Sequence, residues 1–538
     1  MQDLKQQSPL GIYLEHCRKG ELAYQVSRED GRPVFYPRVI APGSGSADLE
    51  WRVSQGFGTV YATTVVYSKD APPHNVALIE LDEGFRMMSR VEDVDPLAVG
   101  IGMRVKVRMH PGDDQQPPYP VFAPVAPAAA PPAPAAAPQA QARRAPFVAT
   151  KSARTGGLKR GSVAIVGVAE SDLGQVAPHT SPVDLMAQAT RRALDDCGLR
   201  LADVDGLFAA TTQVRMATLA LKEYLGIEPR YADNTQIGGS SFMSHVAHAQ
   251  AAIEHGLCEV ALIAYGSTQR TVSRAAASPR EHNPYESPYR PFLPASAYAL
   301  AASRHMHEFG TTREQLAEVA VAARQWALKN PAAWEKEPLT IEQALSSRMV
   351  SYPFTVRDCC LVTDGGGAII LTSAERARAL KKKPVYVLGV GEALSHHSIS
   401  NMEDLTVTAA ARSGPQAFAM AGVRPWDVRA VELYDAFTIN TILFLEDLGY
   451  CPKGEGGRFV AGGAIAPGGR LAVNTNGGGL SYCHPGMYGL MLLIEAARQV
   501  RGECGERQIP GCDLALAHGN GGVLSSQCTV ILGSENTL

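Results

Sequence analysis

The chain has 538 residues, more than one ordinary hydrophobic core holds, so two or three domains are expected. Its 45% hydrophobic and 19% charged residues are typical of a soluble globular protein. The net charge is −3 and no basic block occurs, so nothing indicates binding to nucleic acid or to a membrane. No signal peptide or membrane-spanning stretch is recognisable, and the ten cysteines include no C-x-x-C pair. These features predict a cytoplasmic protein whose thiols mostly act as small apolar residues.

The first part of the chain has the pattern of a small β domain. A short helix is predicted around Ile12 to Cys17, and strands are predicted at 58–67, 75–81 and 103–109. The last of these alternates apolar and basic residues, which is the period of a half-exposed strand. Short strands separated by glycine turns predict a β-barrel within a domain at 1–122.

Residues 123–161 are rich in alanine, proline and glutamine. A segment of this composition buries no apolar surface, and it predicts an extended or disordered linker. Such a tether raises the local concentration of the first domain at the second without fixing its pose.

The remainder, residues 162–538, contains an internal repeat. The apolar segment Val163–Glu170 recurs as Val385–Glu392, and each is followed by a helix, a loop with Asp203 or Asp427, and another strand. Strands that alternate with helices predict a mixed, helix-covered sheet in each half. A period this long indicates a duplicated domain, with halves at about 162–380 and 381–538.

A glycine-rich loop runs from Asn474 to Gly489. Its three consecutive glycines allow a backbone that a Cβ would forbid, which predicts a close approach to another group. Pro485 and the apolar run after it predict a buried helix that begins at His484. We therefore expect His484 beside free N–H groups, as a neutral imidazole or one that helps to hold an anion. The alternative is a structural glycine turn with a chance histidine.

Several phrases of the second part carry a family resemblance. They are Asp358–Ala368, Val431–Thr438, the His484-Pro-Gly loop and Ala517–Gly522. Together with the duplicated domain they resemble the thiolase superfamily, in the branch of sterol-carrier-protein thiolases and lipid-transfer-protein aldolases. The resemblance implies an α/β fold with two βαβαβ halves in α-β-α-β-α layers. It also implies a homodimer.

The first part resembles the OB-fold domain of the DUF35 family, through the phrases at 56–66, 79–84 and 101–105. That family usually carries a four-cysteine zinc ribbon ahead of the barrel. The matching stretch, 23–46, contains no cysteine, and His16 with Cys17 cannot supply a tetrahedral site. We therefore predict that the protein holds no metal.

The resemblance also shows what is missing. Thiolases form an acyl-enzyme through a cysteine, and Gly238 and Gly239 stand at the matching position. These two glycines, with Gly478 and Gly479, are predicted to bind substrate. Ser240 or Ser241 could replace the cysteine, but a serine needs a positioned base, and helix capping is the alternative role.

Four side chains are predicted to be catalytic: His484, Tyr434, Tyr482 and His518. In the resemblance, His484 is retained, His518 replaces a second cysteine, and Tyr434 replaces a polar group before Asp435, which is itself expected to brace backbone. Such a site suits a retro-aldol reaction. A base takes the β-hydroxyl proton, the Cα–Cβ bond breaks, and oxyanion donors hold the acyl-CoA enolate.

The predicted enzyme is thus a carbon–carbon lyase for a bulky β-hydroxyacyl-CoA, with a steroid side chain as one possible acyl group. Its only cofactor would be the coenzyme A of the substrate thioester, and its DUF35 partner would be fused into the same chain. Two alternatives remain open at this stage. One is a thiolase or acyltransferase with an unrecognised nucleophile, and the other is a non-catalytic module that binds acyl-CoA or lipid.

Overall fold

A computed structural model describes residues 7–69, 71–113, 116–125, 157–273 and 282–538. The chain divides into two compact units. The first ends at Leu158 and also takes in Asn283–Pro291, while the second comprises Lys159–His282 and Phe292–Leu538. Most of the predicted linker, residues 126–156, lies outside the described residues.

The first unit contains one helix and eight strands among its described residues. Helix α1 begins where the Ser8 hydroxyl accepts a hydrogen bond from the Gly11 N–H at 3.0 Å. The elements are α1 (Pro9–Arg18), β1 (Ala23–Ser27), β2 (Pro33–Val34), β3 (Leu49–Val53), β4 (Phe57–Val66), β5 (His74–Leu81), β6 (Arg86–Ser89), β7 (Arg104–His110) and β8 (Tyr119–Pro124). The predicted helix and the three predicted strands are therefore present as α1, β4, β5 and β7.

Two antiparallel sheets build this unit. Strands β2, β1 and β3 form the first sheet, in the region that matches the zinc ribbon of the DUF35 family. Phe85 packs against it, with ring centroids 4.8 Å from Tyr24 and 5.0 Å from Phe35. In the barrel sheet, β4 pairs with β5 and β7, β5 with β6, and β7 with β8. Aromatic packing thus supports this sheet.

The second unit contains eleven helices and twelve strands among its described residues. Its strands are β9 (Val163–Glu170), β10 (Gly206–Ala209), β11 (Tyr231–Asp233), β12 (Val260–Ser267), β13 (Met349–Ser351), β14 (Phe354–Thr355), β15 (Gly365–Ser373), β16 (Val385–Leu394), β17 (Ala430–Leu433), β18 (Ala472–Val473), β19 (Leu514–Gly521) and β20 (Ser526–Gly533). Its helices are α2 (Pro182–Cys197), α3 (Ala217–Leu225), α4 (Ser241–Glu254), α5 (Ala295–Phe309), α6 (Arg313–Ala327), α7 (Ile341–Ser346), α8 (Ala374–Ala377), α9 (Ala410–Ala421), α10 (Thr438–Asp447), α11 (Gly456–Val460) and α12 (Gly489–Arg501).

The repeat predicted from the sequence is visible in the order of the strands. One half runs β11-β10-β12-β15-β9, and the other half continues as β16-β20-β19-β17-β18. The halves meet where β9 and β16 pair antiparallel through two residue pairs, which links ten strands in one hydrogen-bonded series. The repeated loops also match, since the backbone N–H of Arg200 donates to Asp203 and that of Arg424 donates to Asp427, both at 2.8 Å.

Both repeated strands have a glycine at the equivalent position, and the same close contact explains both. A Cβ on Gly167 would lie 2.3 Å from the carbonyl oxygen of Ala193 in α2. A Cβ on Gly389 would lie 2.1 Å from the carbonyl oxygen of Ala417 in α9. Each half therefore packs its first helix directly on strand backbone, which only glycine permits.

Helices α4 and α12 position the site, and α12 is buried along most of its length. Eleven of the thirteen residues of α12 are buried, including its first nine, Gly489–Ala497. None of the described helices is both long and apolar enough to cross a membrane.

Candidate active site

The N-terminal ends of α4 and α12 meet without side chains between them. A Cβ on Gly489, the first residue of α12, would lie 2.0 Å from the carbonyl oxygen of Gly239, just ahead of α4. Tyr434 follows strand β17 at the same place, because a Cβ on Gly239 would lie 2.0 Å from its Cε2 atom. The two helix ends and the end of β17 thus converge on one point.

Helix α12 begins later than the sequence predicted. Its first residue is Gly489, with Tyr488 as the N-cap, so the prediction that it begins at His484 is wrong. The physical reason is Gly486, whose φ of 103° cannot continue a right-handed helix. His484 therefore lies in irregular backbone ahead of the helix.

Two buried tyrosines hold that backbone. The Tyr265 hydroxyl donates to the carbonyl oxygen of Pro485 and accepts from the N–H of Met487, at 2.9 Å. The Tyr434 hydroxyl donates to the carbonyl oxygen of Gly486 at 3.0 Å and accepts from the N–H of Tyr488 at 3.1 Å. Four consecutive residues, 485–488, thus each give one backbone group to a tyrosine hydroxyl. A hydroxyl can donate one bond and accept others, so both tyrosines use their donor here.

His484 lies against this pair of contacts. Its ring centroid is 5.6 Å from that of Tyr434, in an edge-on arrangement, and 6.0 Å from that of Tyr488, which it stacks on. Its backbone N–H donates to the Thr363 hydroxyl at 3.0 Å, and its carbonyl accepts from the Gln269 side chain at 3.1 Å. The structure therefore brings the predicted residues His484 and Tyr434 together.

The environment of Tyr434 keeps its hydroxyl neutral. Burial raises its pKa well above the usual 10, and the N–H of Tyr488 opposes that shift only in part. The hydroxyl is thus protonated at neutral pH. Its ring also fills the space in which a side chain at position 239 would begin, so a nucleophile on that residue has no room.

The glycine loop closes over a carboxyl group. A Cβ on Gly478 would lie 2.0 Å from Oδ2 of Asp435, so this carboxyl group is what the glycine approaches closely. The N–H of Gly479 donates to Asp435 at 2.6 Å, and the N–H of Gly478 donates to Asn476 at 2.8 Å. Asp435 braces backbone, as expected, and burial raises its pKa to about 7. The substrate-binding role of Gly478 and Gly479 stays a prediction, since their N–H groups are used within the loop.

Tyr482 faces a different partner. Its hydroxyl donates to Glu170 at 2.9 Å, and Arg498 donates to the same carboxylate oxygen at 2.6 Å. Burial and the charge of Glu170 raise the pKa of Tyr482 well above its usual value. The hydroxyls of Tyr482 and Tyr434 thus lie in separate proton environments, and a catalytic role for Tyr482 stays a prediction.

His518 is fully buried, and both ring nitrogens have protein partners. They lie 2.9 Å from the Thr529 hydroxyl and 2.8 Å from Oε1 of Gln527. Burial lowers the pKa of His518 to about 4, which keeps the ring neutral. Gln527 donates in turn to Asn520, and Asn520 to the Tyr298 hydroxyl, at 2.7 and 2.8 Å. These two amides link His518 to the Tyr298 hydroxyl. The predicted catalytic role of His518 remains untested.

The stretch ahead of α4 does not offer an activated serine among the described residues. The Ser240 hydroxyl donates to Ser526 at 2.8 Å, and the Ser241 hydroxyl donates to the carbonyl oxygen of Gly238 at 2.7 Å. Neither partner is a base, and the Ser240 side chain makes no capping bond either. Gly238 is needed for its left-handed φ of 82° and for contact with Gly521, 2.6 Å from its Cβ position. Its predicted role in substrate binding stays untested.

Sequence reasoning missed Tyr265, Tyr488 and Gln269, which hold the His484 segment. The Tyr488 hydroxyl donates to Asn476 at 2.8 Å, so it ties the helix start to the glycine loop. A signal for Tyr265 was present in the sequence. A tyrosine inside an otherwise apolar buried strand needs a partner for its hydroxyl, and here that partner is the loop.

Two family models match the chain. A model described as "Thiolase C-terminal domain-like" matches residues 391–534, and one described as "ChsH2, C-terminal OB-fold domain" matches residues 51–110. Among curated relatives, the 17-hydroxy-3-oxo-4-pregnene-20-carboxyl-CoA lyase of Mycobacterium tuberculosis is 34% identical, over 64% of this chain and 92% of its own length. The steroid side-chain-cleaving aldolase of Thermomonospora curvata is 33% identical, over 64% and 91%.

The chain belongs to the thiolase superfamily. Its fold resembles the solved Ltp2-ChsH2(DUF35) aldolase, with a TM-score of 0.65 and 30% identity over 71% of this chain and all of that one. An acetyl-CoA acetyltransferase of Methanothermobacter thermautotrophicus is 34% identical, over 67% of this chain and 96% of its own length. With glycine at the nucleophile position and a DUF35-type barrel in the same chain, this member is an aldolase-type carbon–carbon lyase.

Asp435→Asn should change how stability depends on pH. The folded-state pKa of Asp435 is about 7, above its ordinary 3.8, so the folded protein binds this proton more tightly than the unfolded chain. The free energy of unfolding of the wild type should therefore fall as pH rises from about 4 to about 7. An asparagine does not titrate. The free energy of unfolding of the variant, relative to that of the wild type, should therefore increase with pH in thermal unfolding between pH 4.5 and 8.

Asp427→Asn is the matched control. The pKa of Asp427 is lowered by Arg424, so its titration lies below this pH range. The difference in free energy of unfolding between Asp427→Asn and the wild type should therefore be constant from pH 4.5 to 8. A constant difference for Asp435→Asn as well would contradict a raised pKa at that position.

Gly239→Ala should destabilise the protein by about 1–3 kcal/mol, the usual cost of overfilling a packed site. The added Cβ meets the Tyr434 ring, so the cost should shrink in a Tyr434→Ala background. Chemical denaturation of the four proteins measures this coupling. Gly100→Ala is the control, because nothing lies within 4 Å of that Cβ position. Equal costs in both backgrounds would show that Tyr434 does not occupy this space.

Proposed function

We propose that this lyase cleaves a bulky β-hydroxyacyl-CoA of the steroid side-chain type, using His484 and Tyr434 at the centre of the site. The observation that carries the proposal is the Tyr434 ring, which takes the space of a side chain at Gly239 beside the His484 ring. A buried, protonated phenol in place of a nucleophile suits proton transfer and not acyl transfer. The names of two relatives, a pregnene-carboxyl-CoA lyase and a steroid side-chain-cleaving aldolase, supply the substrate class.

The bond changes follow from this arrangement. A base removes the proton of the β-hydroxyl, the Cα–Cβ bond breaks, and the β carbon becomes a ketone. The bonding electrons move to the thioester as an enolate, and His484 would hold its developing oxyanion. Tyr434, which burial keeps protonated, would then give its proton to Cα and become a phenolate, since an enolate carbon is more basic than a phenolate. For 17-hydroxy-3-oxo-4-pregnene-20-carboxyl-CoA, this gives a 17-ketone and propionyl-CoA.

The base is assigned to Tyr482, with His518 as the alternative. The Tyr482 oxygen would accept the substrate proton while its own proton passes to Glu170, to which it is already hydrogen-bonded, so the proton ends on that carboxylate. Burial opposes ionisation of Glu170, yet Arg498 holds the pKa of that carboxyl below its usual value. Beyond the coenzyme A of the thioester, the proposal needs no cofactor and no metal.

The second candidate is a thiolase, which the acetyltransferase relative favours. That reaction would pass through an acyl-enzyme and would leave acyl mass on the protein. The two functions are therefore separable with one pair of substrates.

Purified protein should cleave 17-hydroxy-3-oxo-4-pregnene-20-carboxyl-CoA to propionyl-CoA and leave acetoacetyl-CoA intact, as read by chromatography of the thioesters. His484→Ala and Tyr434→Phe should each lower kcat about 10²-fold or more, the scale of losing an oxyanion donor or a proton-transfer group. The phenylalanine keeps the ring, so packing is preserved. Tyr482→Phe tests the assigned base in the same assay.

The intact mass of the protein after incubation with each thioester tests the thiolase alternative. An unchanged mass agrees with the lyase. A mass increase equal to an acyl group, or cleavage of acetoacetyl-CoA alone, would establish the second candidate instead.

We also propose a homodimer, formed at the β11 edge of the ten-strand series. Strand β11 ends that series, and α3 beside it carries Leu219 with 59% of its surface exposed, next to Met216 with 64%. A strand edge flanked by apolar side chains fits a second copy of the same edge.

Light scattering at micromolar concentration should therefore give twice the mass of the chain, and Leu219→Arg should shift it toward the monomer. Leu97→Arg is the control, because Leu97 is equally exposed at 66% but lies in the first unit. A monomeric wild type would refute the dimer.

A further inference from the structure

We infer that Tyr265 is a positioning residue for the cleavage reaction, which holds the segment 485–488 in place while Tyr434 transfers its proton. The inference rests on the proposed function and adds a residue from the first half of the second unit. It starts from the bonding pattern, in which two tyrosine hydroxyls share four consecutive backbone groups.

The two hydroxyls have interleaved partners. Tyr265 takes the carbonyl of Pro485 and the N–H of Met487, and Tyr434 takes the carbonyl of Gly486 and the N–H of Tyr488. Each hydroxyl thus fixes the segment once as donor and once as acceptor.

Proton transfer unbalances this arrangement. When Tyr434 gives its proton to the substrate, it can no longer donate to the carbonyl of Gly486, although it still accepts from Tyr488. Tyr265 does not change its protonation, since it is buried to 1% exposure and burial raises its pKa well above the usual range. Its two bonds therefore persist through the step and keep the segment from moving.

The residues just after β12, the strand that contains Tyr265, also hold His484. Gln269 follows β12 and donates to the His484 carbonyl at 3.1 Å. A Cβ on Gly486 would lie 3.1 Å from Oε1 of Gln269 and 3.4 Å from the Tyr265 hydroxyl, so the segment is packed closely on both side chains. Loss of the Tyr265 hydroxyl would loosen the backbone that carries the imidazole. A displacement of about 1 Å can cost up to 10²-fold in rate.

Tyr265→Phe tests the inference, because it keeps the ring and removes both bonds. We expect kcat for 17-hydroxy-3-oxo-4-pregnene-20-carboxyl-CoA to fall at least about tenfold, with KM within about threefold of wild type. The double variant with Tyr434→Phe should lose less than the product of the two single losses, since both hydroxyls act on one segment.

Tyr386→Phe is the matched control. Tyr386 is fully buried in β16, in the same series of strands, and within the described residues its hydroxyl has no hydrogen-bond partner. Its kcat should stay within about twofold of wild type. Equal kcat values for Tyr265→Phe and Tyr386→Phe, or a loss confined to KM, would overturn the inference.

Amide hydrogen exchange of the wild type tests the positioning role independently of the kinetics. It applies if Tyr265→Phe does not fold, or if the wild type does not cleave this thioester. In the wild type, the Met487 amide should be protected from exchange, because its N–H is bonded to Tyr265. Exchange as fast as that of an unbonded amide would refute the positioning role. An inactive wild type with a protected amide would refute the proposed substrate and leave the positioning of the segment intact.

Discussion

The chemistry of this site depends on a backbone contact that excludes side chains. The ends of α4 and α12 come so close that a Cβ on Gly489 would lie 2.0 Å from the Gly239 carbonyl. That contact fixes position 489 as glycine, and the Tyr434 ring, which lies where a side chain at position 239 would begin, fixes position 239 as glycine. Glycine at position 239 and the phenol of Tyr434 are therefore structurally coupled.

Buried carboxyl groups support the glycine loop from beneath. The Thr475 hydroxyl lies 2.8 Å from Glu432 and 2.7 Å from Glu495, and Arg507 binds Glu495 through two nitrogens. Burial and the charge of Glu495 raise the pKa of Glu432 well above its usual value, so this group is held protonated. With Asp435, the loop rests on groups whose charge is suppressed by burial. A low local dielectric of this kind strengthens each hydrogen bond in the site.

Much of this architecture was predictable from the sequence, because it depends on patterns of residues that are close together in the chain. The duplicated strands at 163–170 and 385–392, the barrel strands and the glycine loop each have a period or a turn signal. Family motifs then identified His484 and Tyr434 as neighbours, and the structure places their rings 5.6 Å apart.

The remaining features depend on contacts between distant positions. The start of α12 was misjudged because Pro485 suits a first helical turn, while the left-handed Gly486 that prevents it has no distinct signal among so many glycines. Tyr265 was missed because its partners lie more than two hundred positions away. Nothing in a single sequence marks which buried hydroxyl bonds which loop, nor that Tyr482 would bond Glu170.

The bonds of Tyr265 also determine when the site can form. Its partners Pro485 and Met487 are 220 and 222 positions away along the chain, in the other half of the duplicated unit. Closing a loop of this length loses chain entropy before any contact offsets it. The segment 485–488 is therefore held by Tyr265 only when both halves of the duplicated unit are folded together, so neither half alone can complete this site.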